Sequence, residues 1–169
     1  MKRLLQVLAT TGAAAAMAVP AVADETGPPL TACAAAVGTW LTDNPGKEPS
    51  RSLVSLTADG LVLFADSGEG GGVGFAPFTG SHGAWRCVAA GSGSLELSAT
   101  MLDFTLPTVD WPNQQIGRLD IVASVDPAKG TMSGTMKLYL AELDADPMTE
   151  AKLTVDAEGQ FTAVRITAP

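Results

Sequence analysis

The sequence predicts an all-β protein built as an antiparallel up-and-down β-barrel of about eight strands. Three observations support that fold class. Apolar and polar residues alternate with a period of two over long stretches, turn motifs separate these stretches, and the chain after residue 23 contains no convincing amphipathic helix. A meander of many hairpin-linked strands usually closes into a barrel, because closure removes the unpaired strand edges.

The N-terminal segment has the features of a secretory signal peptide. Lys2 and Arg3 form a basic start, residues 4–19 are uncharged and mostly apolar, and Ala21 and Ala23 supply the small residues of a cleavage site. The apolar stretch is short for a membrane span, which needs about 20 residues. We therefore expect cleavage near Ala23, export to the periplasm or the extracellular medium, and no membrane span.

Cleavage changes the charge of the working chain. The full sequence of 169 residues carries 10 basic and 18 acidic residues, a net charge of −8. Loss of Lys2 and Arg3 leaves 8 basic residues against 18 acidic ones, so residues 24–169 carry a net charge of −10. This acidity argues against binding to the phosphate backbone of nucleic acids. The length suits one domain, which we place at residues 36–169.

Residues 24–35 form a leader that contains Pro and Gly and carries the first of two cysteines. Two cysteines in an exported chain most often pair, so we expect a disulfide between Cys33 and Cys87. Residues 30–33 also resemble the lipobox of a bacterial lipoprotein. That alternative is weaker, because two acidic residues and a Gly-Pro-Pro segment separate the motif from the apolar run.

Nine segments alternate as strands do, at residues 37–42, 52–58, 61–65, 83–89, 94–105, 116–125, 131–141, 151–156 and 160–167. Asp59 and Gly60 give the strongest hairpin signal, and residues 126–130 and 156–159 are similar short turns. Two longer connections, residues 66–82 and 107–115, contain aromatic side chains. Long aromatic loops on a rigid β scaffold are common binding sites.

A short motif and a distant arginine suggest how the barrel closes. Gly38 and Trp40 belong to a Gly-Thr-Trp motif at the start of the first strand, and Arg165 lies in the last strand. This pattern resembles that of the lipocalins and the wider calycin group, in which such an arginine packs across the indole ring. The order of further motifs over residues 36–167 resembles secreted bacterial lipocalin-like proteins. The resemblance implies structural roles for Gly38, Trp40 and Arg165.

A closed barrel of about eight strands is either filled by side chains or holds one small ligand. The first functional hypothesis is therefore the binding of a small apolar molecule in the barrel or at its mouth. Inward positions and aromatic loop residues supply the candidate ligand-binding side chains: Phe75, Phe78, Met101, Trp111, Ile121, Met132 and Met136. Methionines line adaptable apolar cavities, but they also fill ordinary cores.

Two other functions stay open. A barrel-type isomerase or cyclase would use catalytic candidates among His82, Asp103 and Asp110, and an inward Asp103 would be costly unless paired. A ligand-free structural envelope protein would have no cavity of about 300 Å³ or more. The acidic turn at residues 142–150 departs from a calcium loop, so we expect a solvated turn there, with a weak calcium site as the alternative. We expect no metal and no cofactor. The sequence makes no prediction of the oligomeric state.

Overall fold

A computed structural model describes residues 30–45, 49–149 and 153–169 of the chain. Eight antiparallel strands form a closed barrel in which each strand pairs with its neighbours in sequence. The first strand closes the barrel by pairing with the last, where Trp40 is opposite Arg165. The predicted fold class, an all-β antiparallel up-and-down barrel of about eight strands, is confirmed. The predicted signal peptide, residues 1–23, lies outside the described residues.

The strands are β1 (Gly38–Asp43), β2 (Ser52–Leu56), β3 (Leu61–Asp66), β4 (Ser81–Ala89), β5 (Leu95–Phe104), β6 (Gln115–Asp126), β7 (Thr131–Glu142) and β8 (Thr154–Arg165). A 3₁₀ helix, Leu30–Ala36, precedes β1, and a second short one, Gly91–Gly93, connects β4 and β5. No helix in the described ranges has the length and apolar character needed to cross a membrane.

One predicted turn is wrong, and two of the nine predicted strands are in fact one. The Asp-Ala-Glu-Gly segment that begins at Asp156 lies within β8 and is part of the ladder with β7. Leu138 pairs with Ala157 and Tyr139 with Val155, so Asp156 is an extra residue that forms a β-bulge. Pairing along a twelve-residue strand overrides the local turn preference of this segment.

Alternate side chains of the strands fill much of the barrel interior. In β5 the inward residues from Leu95 to Asp103 are buried, whereas the residues between them are half-buried or exposed. Trp40, Met101 and Ile121 are at most 1% exposed. Burial of an aliphatic or aromatic side chain of this size contributes about 1.5–3 kcal/mol each. The period-two pattern of the sequence therefore corresponds to a real hydrophobic core.

The two ends of the barrel differ in the length of their connections. At one end, here called the closed end, the strands are joined by short segments at residues 57–60, 90–94 and 127–130. Connections of an up-and-down barrel alternate between the two ends, so the long loops all fall at the other end, here called the open end. These connections join β1 to β2, β3 to β4, β5 to β6 and β7 to β8, and the two that are described throughout span residues 67–80 and 105–114.

The closed end is capped by the N-terminal 3₁₀ helix. The indole Nε1 of Trp40 donates a hydrogen bond of 2.9 Å to the carbonyl oxygen of Ala36. The guanidinium carbon of Arg165 lies 4.8 Å from the centre of the Trp40 ring, and the same group donates a hydrogen bond to the carbonyl of Ala35. Gly38 faces Arg165 with a φ of +139°, a conformation that favours glycine. The three residues named by the resemblance thus meet at this end.

A disulfide fastens the 3₁₀ helix to the barrel wall. Cys33 and Cys87 are bonded, with their Cα atoms 5.9 Å apart, and both are at most 2% exposed. The bond joins residues 54 positions apart in sequence. Since disulfides persist mainly in oxidising compartments, this bond is consistent with a protein that functions outside the cytoplasm.

Candidate functional site

The open end of the barrel contains a cavity of about 510 Å³. Ligand pockets typically have volumes of about 300–1,000 Å³. Most of the walls are aromatic and aliphatic: Phe64, Phe75, Phe78, Trp111, Leu119, Met136, Leu138, Leu140 and Phe161. The polar lining residues come from the loops and from the strands: Asn44, Ser50, Asp66, Asp103, Thr105, Gln115, Asp156, Glu158 and Gln160.

A glycine at an inward position of β8 leaves part of the cavity free. Gly159 pairs with Met136 and lines the cavity, and a Cβ atom placed on it would meet nothing within 4 Å. A larger side chain at this position would extend into the space. Gly117 occupies the inward position between Asp103 and Leu140 on the neighbouring strands, and the Asp103 carboxylate fills the space beside it.

Three residues predicted to bind ligand lie deeper in the barrel. Met101, Ile121 and Met132 are at most 3% exposed and belong to the packed core, and none of them lines the cavity. Met136 lies one inward position closer to the open end than Gly134 and does line it. Alternation identifies the inward face of a strand, but only the strand register determines how deep each residue lies.

The aromatic loop residues do reach the cavity. Phe75, Phe78 and Trp111 all line it, and Trp111 is 41% exposed at its rim. The loop of residues 67–80 is attached to the next loop, because the amide of Leu106 donates a hydrogen bond of 2.7 Å to the carbonyl of Pro77. The two aromatic loops therefore form one side of the mouth together.

Glycines in the first of these loops make room for the Phe75 ring. A Cβ atom on Gly72 would lie 2.5 Å from a ring carbon of Phe75, and one on Gly68 would lie 3.6 Å from the ring. The ring thus packs directly on the loop backbone. The glycines of this segment therefore allow an aromatic side chain to pack at the cavity mouth.

Asp103 is the buried carboxylate of the cavity. Its side chain is 7% exposed, and Oδ2 accepts a hydrogen bond of 2.8 Å from Ser81 Oγ. Gly117 leaves room for Oδ1, since a Cβ atom there would come within 2.2 Å of that oxygen. Burial raises the pKa of Asp103; the Ser81 hydrogen bond acts to lower it, and the negative charge of Glu69 raises it further.

A second carboxylate at the open end is held by several donors. Asp66 accepts hydrogen bonds from the hydroxyls of Ser52 and Ser50, at 2.6 Å and 3.2 Å, and from the amide of Gly68 at 2.6 Å. Asn44 Nδ2 donates to both serine hydroxyls. Asn44 Oδ1 is buried and has no hydrogen-bond partner among the described residues.

Sequence reasoning missed this second cluster. The available signal was that Ser52 and Asp66 are polar residues at inward positions of apolar strands, and the structure places them directly opposite each other. Phe64 and Phe161 were also absent from the predicted binding residues, although each lies on the inward face of its strand.

The other two catalytic candidates do not join Asp103. His82 is exposed on β4, between the inward positions Ser81 and Gly83, and Asp110 is exposed in the loop of residues 105–114. Neither lines the cavity. The structure therefore brings together Asp103, the aromatic loop residues and Met136, and leaves His82 and Asp110 outside.

The chain matches no protein-family model, no curated protein and no solved structure.

The chemistry of the cavity is defined by apolar walls and hydrogen-bond acceptors. Within the described ranges, its ionisable lining residues are all acidic, and they are Asp66, Asp103, Asp156 and Glu158. The exposed Glu158 carboxylate is paired with Lys137, at 3.8 Å, so Asp66 and Asp103 are the acids that occupy inward positions. The same ranges hold no cluster of three or more His, Cys, Asp or Glu side chains able to bind a metal ion. The arrangement can enclose an apolar group and accept hydrogen bonds from a polar one.

Proposed function

We propose that this protein is an exported lipocalin-like barrel that binds a small, largely apolar molecule in the open end. The observation that carries the proposal is the cavity of about 510 Å³ with its aromatic and aliphatic walls. Removing apolar ligand surface from water is favourable by about 25 cal/mol for each Å². Such walls therefore favour the binding of an apolar molecule even without specific polar contacts.

The division of the barrel into two halves supports a binding role. The closed half is filled by buried side chains such as Trp40, Met101 and Ile121. The ligand-free alternative, a structural envelope protein, would have a filled interior throughout. The cavity exceeds the volume of about 300 Å³ at which typical ligand pockets begin.

Export is supported by two independent features. Residues 1–23 have the composition of a signal peptide. The disulfide between Cys33 and Cys87 suits an oxidising compartment. A separate feature, the meeting of Gly38, Trp40 and Arg165 at the closed end, supports the likeness to lipocalins. The periplasm and the extracellular medium both fit these features.

A barrel-type isomerase or cyclase is the second candidate function, and the position of Asp103 favours it. A buried carboxylate with a raised pKa in an apolar cavity is a suitable general acid or base. No histidine or basic side chain among the described residues lines the same cavity to act as a partner for Asp103. A binding role requires no such partner and is the better supported.

Titration with N-phenyl-1-naphthylamine, a neutral apolar probe whose fluorescence rises on leaving water, tests the binding role. We expect saturable binding by the purified, disulfide-bonded protein and a large loss of affinity in Gly159→Trp, which fills the cavity where space is free. The matched control is Thr135→Trp, at an exposed, outward-facing position on β7, which should bind as the wild type does. Absence of saturable binding, or equal binding by both variants, contradicts the proposal.

A further inference from the structure

The polar lining of the cavity is unbalanced in charge. Two of its carboxylates, those of Asp66 and Asp103, lie on inward strand positions, and no basic side chain among the described residues lines the cavity. Glu69 is close enough to Asp103 to raise the pKa of that carboxyl. Carboxylates in an enclosed site of low dielectric attract a cation more strongly than they would in water. An anionic ligand, such as a fatty acid, would have to enter the same field against repulsion.

Some hydrogen-bond acceptors of the cavity also have few donors or none. Asp66 accepts hydrogen bonds from three donors, whereas Asp103 accepts one, on Oδ2, from the described residues. Asn44 Oδ1 accepts none within the same ranges, although the atom is buried. A buried acceptor without a donor is unfavourable, so a ligand that supplies N–H donors complements this surface.

The carboxylate of Asp103 is open to a ligand because its neighbours are small. Gly117 is opposite Asp103 on β6 and Ser81 donates a hydrogen bond to it from β4, and neither has a side chain long enough to cover the carboxylate. Ser81 holds one oxygen in place, which makes it a positioning residue. The aromatic walls around the carboxylate suit an apolar body, and aromatic ring faces also attract ammonium groups.

We infer that the natural ligand is an amphipathic amine, a compact apolar body bearing an ammonium group that pairs with the Asp103 carboxylate inside the cavity. This inference rests on the proposed binding function and specifies the chemical class of its ligand. The apolar body would lie against Phe64, Phe161 and Met136, and the ammonium group would donate hydrogen bonds to Asp103.

Three naphthalene probes with the same apolar body test the inference by isothermal titration calorimetry. They are 2-(1-naphthyl)ethylamine, which is cationic at neutral pH, 1-naphthaleneethanol, which is neutral, and 1-naphthaleneacetate, which is anionic. We expect the amine to bind most tightly and the acetate most weakly. Asp103→Asn should lower the affinity for the amine by about ten- to a hundredfold and change that for the alcohol little, because a charge-assisted hydrogen bond is lost.

Asp110→Asn is the matched control, since it removes the same charge from an exposed loop at the same end of the barrel. It should leave all three affinities unchanged. Ser81→Ala provides a second variant should Asp103→Asn not fold, and it should weaken amine binding more than alcohol binding. Equal affinity of the wild type for amine and alcohol, or amine binding unaffected by Asp103→Asn, overturns the amine assignment and leaves the apolar pocket in place. Failure of all three probes to bind overturns the binding function as well.

Discussion

The carboxylate of Asp103 lies against the backbone of Gly117, so closely that a Cβ atom on the glycine would be 2.2 Å from Oδ1. The two residues are directly opposite each other on β5 and β6. Glycine at this position therefore determines where the only buried carboxylate among the described residues can reside. An inward aspartate on an apolar face is accommodated by the absence of a side chain beside it.

Gly117→Ala should lower the free energy of unfolding by about 1–3 kcal/mol, the usual cost of inserting a methyl group into an occupied space. The added carbon must displace the Asp103 carboxylate from its contact with Ser81. Urea unfolding measures the change. Gly159→Ala is the matched control on the same inner face, where a Cβ atom meets nothing within 4 Å, and it should alter stability by no more than about 0.5 kcal/mol. A similar loss of unfolding free energy in the two variants would contradict the close contact between Asp103 and Gly117.

Asp103→Asn should stabilise the protein at neutral pH, and the gain should disappear in acid. Burial raises the pKa of Asp103 above its ordinary value of 3.8, so the folded state binds the proton more tightly than the unfolded state does. The contribution of the protonated Asp103 to the free energy of unfolding is therefore present at low pH. It is lost as the pH rises through the pKa of the folded state. Of the groups around it, Glu69 adds to the shift, while Ser81 opposes it and Gly117 carries no charge.

Urea midpoints measured from pH 3 to pH 8 on the wild type, Asp103→Asn and Asp110→Asn provide the test. The difference between the wild type and Asp103→Asn should widen as the pH rises. The exposed Asp110 should give no comparable trend when substituted. A difference that is constant with pH would show that the stability of the fold is independent of the charge on Asp103.

Replacing both cysteines by serine should lower the free energy of unfolding by about 4 kcal/mol. The disulfide between Cys33 and Cys87 closes a loop of 54 positions, and the chain-entropy model assigns that amount to a loop of this length. The double variant avoids an unpaired thiol. Its urea midpoint should equal that of the reduced wild type, and a loss under about 1 kcal/mol would mean that the 3₁₀ helix is held mainly by Trp40 and Arg165.

Arg165→Lys should destabilise the closed end by about 1–2 kcal/mol, because an ammonium group retains the charge but loses the planar contact with Trp40 and the hydrogen bond from Nη2 to the Ala35 carbonyl. Near-ultraviolet circular dichroism should report a change around Trp40. The control is Arg86→Lys, since Arg86 is exposed and its Nε donates only to the Ser98 hydroxyl among the contacts described. An equal loss of stability in the two variants would show that the contact between Arg165 and Trp40 does not stabilise the closed end.

Local patterns in the sequence carry most of the information about the fold. Alternation identifies the inward faces, and Asp59 with Gly60 marks a hairpin at the closed end. The gathering of Phe75, Phe78 and Trp111 at one mouth follows from topology, because every second connection of an up-and-down barrel lies at the same end. These features depend on neighbours in sequence or on strand order alone.

The depth of a residue in the barrel and contacts between loops depend on register, which local patterns do not determine. Met101 and Met136 both face inward, yet only Met136 reaches the cavity. Asn44 and Asp66 belong to one hydrogen-bonded cluster through Ser52, although they are distant in sequence. The bulge at Asp156 likewise arises from the ladder between β7 and β8 rather than from its own turn-like composition.

Gly72→Ala should weaken binding of N-phenyl-1-naphthylamine, because the added methyl group would lie 2.5 Å from a ring carbon of Phe75 and must push the ring from its place at the mouth. Loss of part of the apolar contact on the ligand should cost about 1 kcal/mol, or roughly fivefold in affinity. Gly70→Ala is the matched control in the same loop, where a Cβ atom meets nothing within 4 Å, and its affinity should equal that of the wild type. If the two variants bind the probe equally well, Phe75 does not contribute to the ligand site, and the mouth is formed by Phe78 and Trp111 without it.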